Sequence, residues 1–146
     1  MEKNEKQKIG MAGEFLVAGK LFKLGLQVSV TFGNAKGIDL MARKENAKNY
    51  SIQVKTQKNK KEDFFLKEQR IENDIIFIFV ALNKFDEDEE YYIVKGSEIL
   101  EDVKKFYGKT YNRENPSPMS AIRYNTLTEK DNDKWKYKDN WKIFDQ

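Results

Sequence analysis

Two residue types that build many enzyme and metal sites are missing, because the 146 residues include neither cysteine nor histidine. Without cysteine there can be no disulfide, thiolate metal site or cysteine nucleophile, and the chain fits a reducing compartment. Without histidine there can be no imidazole-bound zinc, Ser-His-Asp triad or histidine general base. Any metal site must therefore use oxygen ligands, which favour hard cations such as Mg²⁺ or Mn²⁺.

Long apolar runs are also missing. The longest such run covers residues 75–82, far short of the roughly 20 residues that span a bilayer. The N-terminus is charged and lacks the apolar segment of a secretory signal. We therefore expect a cytoplasmic protein with no membrane partner. Its length suits one domain over residues 1–146, and its net charge of only +3 means that a polyanion would have to meet local lysine clusters.

The first 24 residues show the 3–4 residue spacing of an amphipathic helix, and Gly25 is placed to end it. Glu14 lies one helical turn from Gly10 and Ala18, so its carboxylate falls on a small, apolar face. A carboxylate there either points inward, where it needs a cation or hydrogen-bond donors, or keeps its head group in water at an edge. Both interpretations remain open from the sequence.

Alternating apolar and polar side chains predict three strands over residues 26–32, 38–43 and 50–56, the first two joined by the turn sequence Gly-Asn-Ala-Lys-Gly. On the second strand the alternation assigns one face to Ile38, Leu40 and Ala42, and the other face to Asp39 and Met41. On the third strand, Gln53 and Lys55 project from the same face because side chains repeat every two residues.

Further elements are predicted along the chain: a short helix over 62–72, a strand over 74–82 covered on both faces, a strand over 91–95 and a helix over 98–107. Ser97 is the expected N-cap of the last of these. Both prolines lie in a following loop. Beyond it, Tyr137, Trp141 and Phe144 fall at helical spacing, which predicts a C-terminal helix packed on the body of the protein.

Three short segments lie in order on a predicted helix, a strand and a second strand: GEFLVAGKLFKLG, GNAKGIDL and IQVKT. Together they resemble the PD-(D/E)XK nuclease superfamily over residues 10–82, about half of the chain. The resemblance implies an α/β, restriction-endonuclease-like fold with an αβββαβ core and a mixed central sheet flanked by helices. That core would occupy about residues 8–95, with a C-terminal helical extension over 96–146. A distant similarity to Holliday-junction resolvases implies a homodimer.

The resemblance also implies roles for particular residues. Asp39, Gln53 and Glu14 would hold Mg²⁺ or Mn²⁺, Glu14 would take part in catalysis, and Lys55 would orient or help to deprotonate the attacking water. Gln53 departs from the family, which usually has an acid there, and so removes one negative charge from the metal site. Some active branches resemble this combination of Glu, Asp and Gln-x-Lys. The function implied is metal-dependent hydrolysis of DNA by an endonuclease.

Basic residues close to these segments are candidates for contacts with the DNA backbone, which give salt-sensitive affinity independent of sequence. They are Lys36, Lys58, Lys60, Lys61, Lys67 and Arg70. The plainer interpretation is that they form a solvated loop and helix face.

Other interpretations of the motif remain open. Asp39 could cap the hairpin turn or pair with Lys36 or Arg43, while Gln53 and Lys55 line a solvated face of the sheet. The chain could be an inactive nuclease-fold module that binds nucleic acid or protein, which the glutamine in place of an acid favours. It could also be an immunity or antitoxin-like partner protein, given its small size and its run of five acidic residues.

Overall fold

The computed structural model describes residues 2–35, 37–45 and 48–145, with the backbone alone over 32–35. Its elements are helix α1 (Lys3–Lys23), strands β1 (Gln27–Ala35), β2 (Ile38–Arg43), β3 (Asn49–Gln57) and β4 (Phe64–Phe65), a 3₁₀ helix (Glu68–Arg70), strands β5 (Ile75–Ala81) and β6 (Glu90–Lys95), helices α2 (Gly96–Glu101) and α3 (Val103–Tyr107), strand β7 (Ala121–Ile122), helix α4 (Tyr124–Leu127), strands β8 (Lys130–Asp131) and β9 (Lys134–Trp135), and a second 3₁₀ helix (Trp141–Asp145).

A five-stranded sheet in the order β1-β2-β3-β5-β6 forms the centre. β3 and β5 run parallel, whereas the other neighbouring strands are antiparallel. One face carries a core that includes Leu21 of α1 and Ile52 of β3. The other face carries a core that includes Phe77 of β5, Ile99 of α2 and Phe106 of α3. The expected α/β class, a mixed sheet flanked by helices, is confirmed.

The central strand has the burial that its composition predicts. All seven residues of β5 are buried, because each side of the strand faces one of the two cores. The strand predictions for β2 and β3 are also confirmed to within one residue at each end. These two strands fix the positions of Asp39, Gln53 and Lys55.

Helix α1 lies unusually close to the sheet at Gly13. A Cβ atom at this position would stand 1.9 Å from Thr56 Oγ1 of β3, far inside van der Waals contact, so a glycine is needed there. The helix ends as predicted at Gly25, whose φ of +91° is a conformation that glycine adopts without strain. The close approach brings Glu14, the next residue, beside the β2–β3 region.

The helix predicted over 62–72 is wrong. The structure has β4 there, followed by the 3₁₀ helix. The cause is tertiary, since β4 pairs with β7 and the alternation of that pairing buries Phe64 while leaving Phe65 half exposed. The helical segment of the expected αβββαβ core between β3 and β5 is therefore replaced by a short strand and one 3₁₀ turn.

Two later predictions are also corrected. No side chain caps α2, which begins at Gly96, and the predicted helix is interrupted at Asp102, whose carboxylate accepts the N–H of Lys105 (3.3 Å). The C-terminal helix is replaced by the β8–β9 hairpin and a 3₁₀ helix, because Asn132 and Asp133 both have positive φ angles and reverse the chain. The expected packing of the aromatic residues is nevertheless confirmed, with Tyr137 and Phe144 both buried.

Among the helices of the described residues, none is both long and apolar enough to cross a membrane.

Candidate active site at the open edge of β3

The regular pairing between strands β2 and β3 ends next to Asp39. Their described ladder runs from the Arg43–Asn49 pair to the Leu40–Ile52 pair. One step further, the Oδ2 atom of Asp39 accepts the backbone N–H of Val54 at 2.8 Å. A side-chain carboxylate thus satisfies a β3 donor that points towards β2. No described residue of β2 is paired with β3 beyond this bond.

The start of β2 departs from regular alternation, and this corrects the predicted face of Ile38. Leu40 and Ala42 share one core as expected, but Ile38 packs against the core on the opposite side of the sheet. Its carbonyl accepts the Thr31 hydroxyl at 2.7 Å, and Gly37 enters the strand with a φ of +73°. The irregular backbone on either side of Asp39 allows its carboxylate to reach the backbone of β3.

Gln53 is 6% exposed and is the one polar side chain classed as buried among the described residues. In the amide orientation that satisfies its neighbours, Nε2 donates to the Gly37 carbonyl and Oε1 accepts from Lys55 Nζ, each at 3.2 Å. Burial of an amide is unfavourable unless such bonds are made. Gln53 therefore does not lie on a solvated face, and it links the turn before Asp39 to Lys55.

The ammonium of Lys55 is partly buried between charges of both signs. Burial lowers the pKa of Lys55; the negative charge of Asp39 opposes this change, and the positive charge of Arg70 reinforces it. A lysine held in this way presents a positive charge that is less well solvated than one at the surface. It can therefore interact strongly with an anion that enters the site.

Both carboxyl groups have raised pKa values, and Asp39 contributes to the shift at Glu14. Burial raises the pKa of Glu14 to about 7, with a further contribution from the negative charge of Asp39. Burial also raises the pKa of Asp39, although the Val54 N–H bond and Lys55 act in the opposite direction. Asp39 is therefore close enough to Glu14 and to Lys55 to act on each of them electrostatically.

The oxygen ligands suit a hard divalent cation with water completing its coordination. In the part of the chain that the structure describes, no three Asp, Glu, His or Cys side chains cluster as a metal site. The candidate set is two carboxylates, from Glu14 and Asp39, and the amide oxygen of Gln53. Mg²⁺ is commonly held by one or two carboxylates and keeps several waters, so this set fits it.

Among the predicted DNA-contacting residues, Arg70 has the clearest link to the site, through its effect on the pKa of Lys55. It ends the 3₁₀ helix whose first residue, Glu68, accepts the Tyr111 hydroxyl at 2.9 Å and pairs with Arg113 at 2.6 Å. These contacts fix the short helix on the protein surface and so hold Arg70 near the edge of β3.

The other predicted contacts are more scattered. Lys60 and Lys61 are exposed in the loop after β3, where Lys58 forms an exposed ion pair with Glu5 of α1 at 3.5 Å. Lys67 lines a separate cavity beside Pro116 and Pro118. Lys36 lies outside the described residues.

A cavity of about 350 Å³ beside Lys55 was not expected from the sequence. Its lining comprises Lys6, Ile9, Gly10, Lys55, Thr56, Gln57, Phe64 and Phe65. Helical spacing could have indicated one wall of this cavity. Lys6, Gly10 and Gly13 follow one another at intervals of four and three residues, so they share one face of α1. Phe65 carried no such signal, because its position depends on the pairing of β4 with β7.

No protein-family model matches this chain, and no curated protein matches it either.

Proposed function

We propose that this protein is a metal-dependent endonuclease that hydrolyses DNA phosphodiester bonds. The proposal depends chiefly on one observation: the carboxylate of Asp39 bonds the open edge of β3 and acts electrostatically on both Glu14 and Lys55. Two carboxylates and a lysine, partly withdrawn from water, are the groups that metal-assisted phosphodiester hydrolysis needs.

The strand order supports a restriction-endonuclease-like fold as part of the proposal. Three antiparallel strands follow α1, and the next long strand, β5, returns parallel to the third. The motif residues lie on the helix, the second strand and the third strand, as the resemblance implies. The crossover between β3 and β5 departs from that fold, because it contains β4 and a 3₁₀ turn in place of a helix.

In this proposal Glu14 and Asp39 hold Mg²⁺ or Mn²⁺, and the amide oxygen of Gln53, one lone pair of which accepts from Lys55 Nζ, would offer its second lone pair as a neutral third ligand. The bound ion would supply an activated water and neutralise negative charge on the phosphate. Asp39 has a second task, because its bond to Val54 fixes the carboxylate relative to β3. Gln53 holds Lys55 and the Gly37 turn together.

Lys55 would act on the phosphate and on the attacking water. Its N–H groups can donate to a phosphate oxygen or position the water, and its lowered pKa makes proton exchange with that water easier than for an exposed lysine. Arg70 would offset further negative charge on the DNA strand. The predicted cytoplasmic location belongs to the same proposal.

Cleavage assays on Asp39→Asn test the function. Wild-type protein should cut DNA when Mg²⁺ or Mn²⁺ is added and should lose this activity in EDTA. Asp39→Asn should cut at least 100-fold more slowly, while retaining an oxygen that can accept the Val54 N–H. Cleavage that survives the substitution, or a wild-type protein that cuts no DNA with either metal, would rule the proposal out.

An inactive nuclease-fold module is the second candidate, and Gln53 is the observation in its favour. With only two carboxylates in the site, metal affinity could be too weak for catalysis. Thermal unfolding with increasing Mn²⁺ separates the candidates, since a ligand that binds only the folded state raises the midpoint. A rise in wild-type protein that Asp39→Asn abolishes supports the nuclease, and no rise at millimolar Mn²⁺ supports the module.

A further inference from the structure

The cavity beside Lys55 combines positive charge with an aromatic surface. Lys6 and Lys55 line it, and none of its described lining residues is acidic. The other cavities along α1 differ, since one includes Glu87 and Glu89 and another includes Asp88 and Asp139. Of these three cavities, the one beside Lys55 combines basic lining residues with no acidic ones, so it suits an anionic ligand best.

Phe65 supplies the aromatic surface. Phe64 and Phe65 both line the cavity, but Phe64 is 1% exposed and packs against Phe79, whereas Phe65 is 53% exposed. The Phe65–Ala121 pair in the β4–β7 ladder holds the backbone under this side chain. The ring is thus fixed on a strand yet still free to contact a ligand on its exposed side.

We propose that this cavity binds an unpaired nucleotide next to the scissile phosphate, with its base against Phe65 and its phosphate towards Lys6 and Lys55. The inference rests on the proposed function and narrows its substrate to DNA that contains single-stranded or unpaired nucleotides. Stacking on an aromatic side chain requires a base face that a continuous duplex keeps covered. Gln57 and Thr56, also in the lining, add polar groups beside the base.

Fluorescence anisotropy of labelled DNA in EDTA tests the pocket without cleavage. The probes are a single strand and a fully paired duplex of the same sequence. Wild-type protein should bind the single strand more tightly, and Phe65→Ala should weaken that binding by on the order of tenfold. Phe65→Trp should restore it, because an aromatic face returns. Phe85→Ala is the matched control, since Phe85 is fully exposed and lies outside this cavity.

Two results would overturn the inference: single-strand binding that Phe65→Ala leaves unchanged, or equally tight binding of the duplex. Cleavage in Mn²⁺ separates this inference from the proposed function. If wild-type protein cleaves DNA and Phe65→Ala does not slow this cleavage, the nucleotide-binding role of the cavity is refuted and the nuclease proposal stands. If single-strand binding depends on Phe65 but wild-type protein cleaves no DNA, the nucleotide-binding role of the cavity stands and the nuclease proposal is refuted.

Discussion

Strands β3 and β5 lie side by side, parallel and in register, yet they fill the same face of the sheet with opposite chemistry. Gln53 is the partner of Phe77, and Lys55 is the partner of Phe79. Both phenylalanines are fully buried, and burying such a side chain contributes about 1.5–3 kcal/mol. β3 forgoes that contribution at two positions. The difference shows where the sheet is specialised for something other than stability.

The cause of the difference is the neighbour on the far side of each strand. β5 pairs with β3 along all seven of its residues and with β6 from Ile76 to Ala81, so both of its edges are occupied by strands over almost their whole length. β3 loses its β2 partner beyond Ile52, where Asp39 turns its carboxylate to Val54. Gln53 and Lys55, the two polar side chains compared above, lie just beyond the end of this pairing.

Replacing Lys55 with an apolar side chain, like those of β5, should have the largest effect on DNA cleavage. Lys55→Met keeps an unbranched side chain but removes the charge, and DNA cleavage should fall 100-fold or more, because a positioned proton-transfer group contributes about 10²–10⁴-fold. The thermal midpoint should change little, because the gain from losing a partly buried charge is opposed by loss of the bond from Lys55 Nζ to the buried Gln53 Oε1. Lys60→Met, an exposed site, is the matched control, and equal loss of activity in both variants would contradict the prediction.

Moving α1 away from β3 should cost stability and activity together. In Gly13→Ala the new Cβ meets Thr56 Oγ1, and overpacking of this kind destabilises by about 1–3 kcal/mol. Glu14 would move with the helix, so cleavage should fall as well. Gly19→Ala is the control, because no atom lies within 4 Å of a Cβ there and alanine should stabilise the helix by about 0.5–1 kcal/mol. Urea unfolding measures both changes.

Removal of metal should make stability fall as the pH rises. The folded protein has a Glu14 pKa of about 7 against a model-compound value of 4.5, so it holds this proton more tightly than the unfolded chain. The stabilisation is complete below pH 4.5 and is lost as the pH rises through 7. After allowance for solvent screening we expect on the order of 1–2 kcal/mol.

Thermal unfolding in EDTA between pH 4.5 and pH 8 measures this dependence. Glu14→Gln should flatten the profile, because the amide does not titrate. Mn²⁺ should reverse it in wild-type protein, since a divalent cation favours the ionised carboxylates. A profile in EDTA that Glu14→Gln leaves unaltered would contradict the assigned environment of this group.

Substitutions at Lys60 and Lys61, in the loop after β3, should have the smallest effect on DNA binding. Lys60 and Lys61 are exposed, so replacing both by glutamine should weaken single-strand binding only a few-fold and reduce the slope of log affinity against log salt by about 1–1.5. Lys67→Gln is the control, because Lys67 lines a different cavity. A salt slope that changes only in the control would assign the DNA path to the other side of the 3₁₀ helix.

Local period predicted the side-chain faces of β3 correctly. Alternation along β3 places Gln53 and Lys55 on one face, and the structure agrees because a strand repeats every two residues. Local pattern failed for residues 62–72, where a run of apolar side chains suits a helix or a strand. The pairing of β4 with β7, which is distant in the chain, decides between them.

The cavity could not be predicted for the same reason. Lys6 and Phe65 meet around it only because Gly13 lets α1 approach β3 and because β4 pairs with β7. Ile38 was misassigned because regular alternation does not anticipate the irregular entry into β2. These are properties of the folded chain rather than of any short window of sequence.

The bond from Asp39 to Val54 ties chemical competence to correct folding. Because side chains alternate, a slip of one residue between β2 and β3 would turn the apolar set of β2 away from its core and also take Asp39 off the Val54 N–H. A misregistered molecule would thus lose the proposed metal site along with its packing. The proposed DNA cleavage would then report strand register in refolded or redesigned forms of this protein.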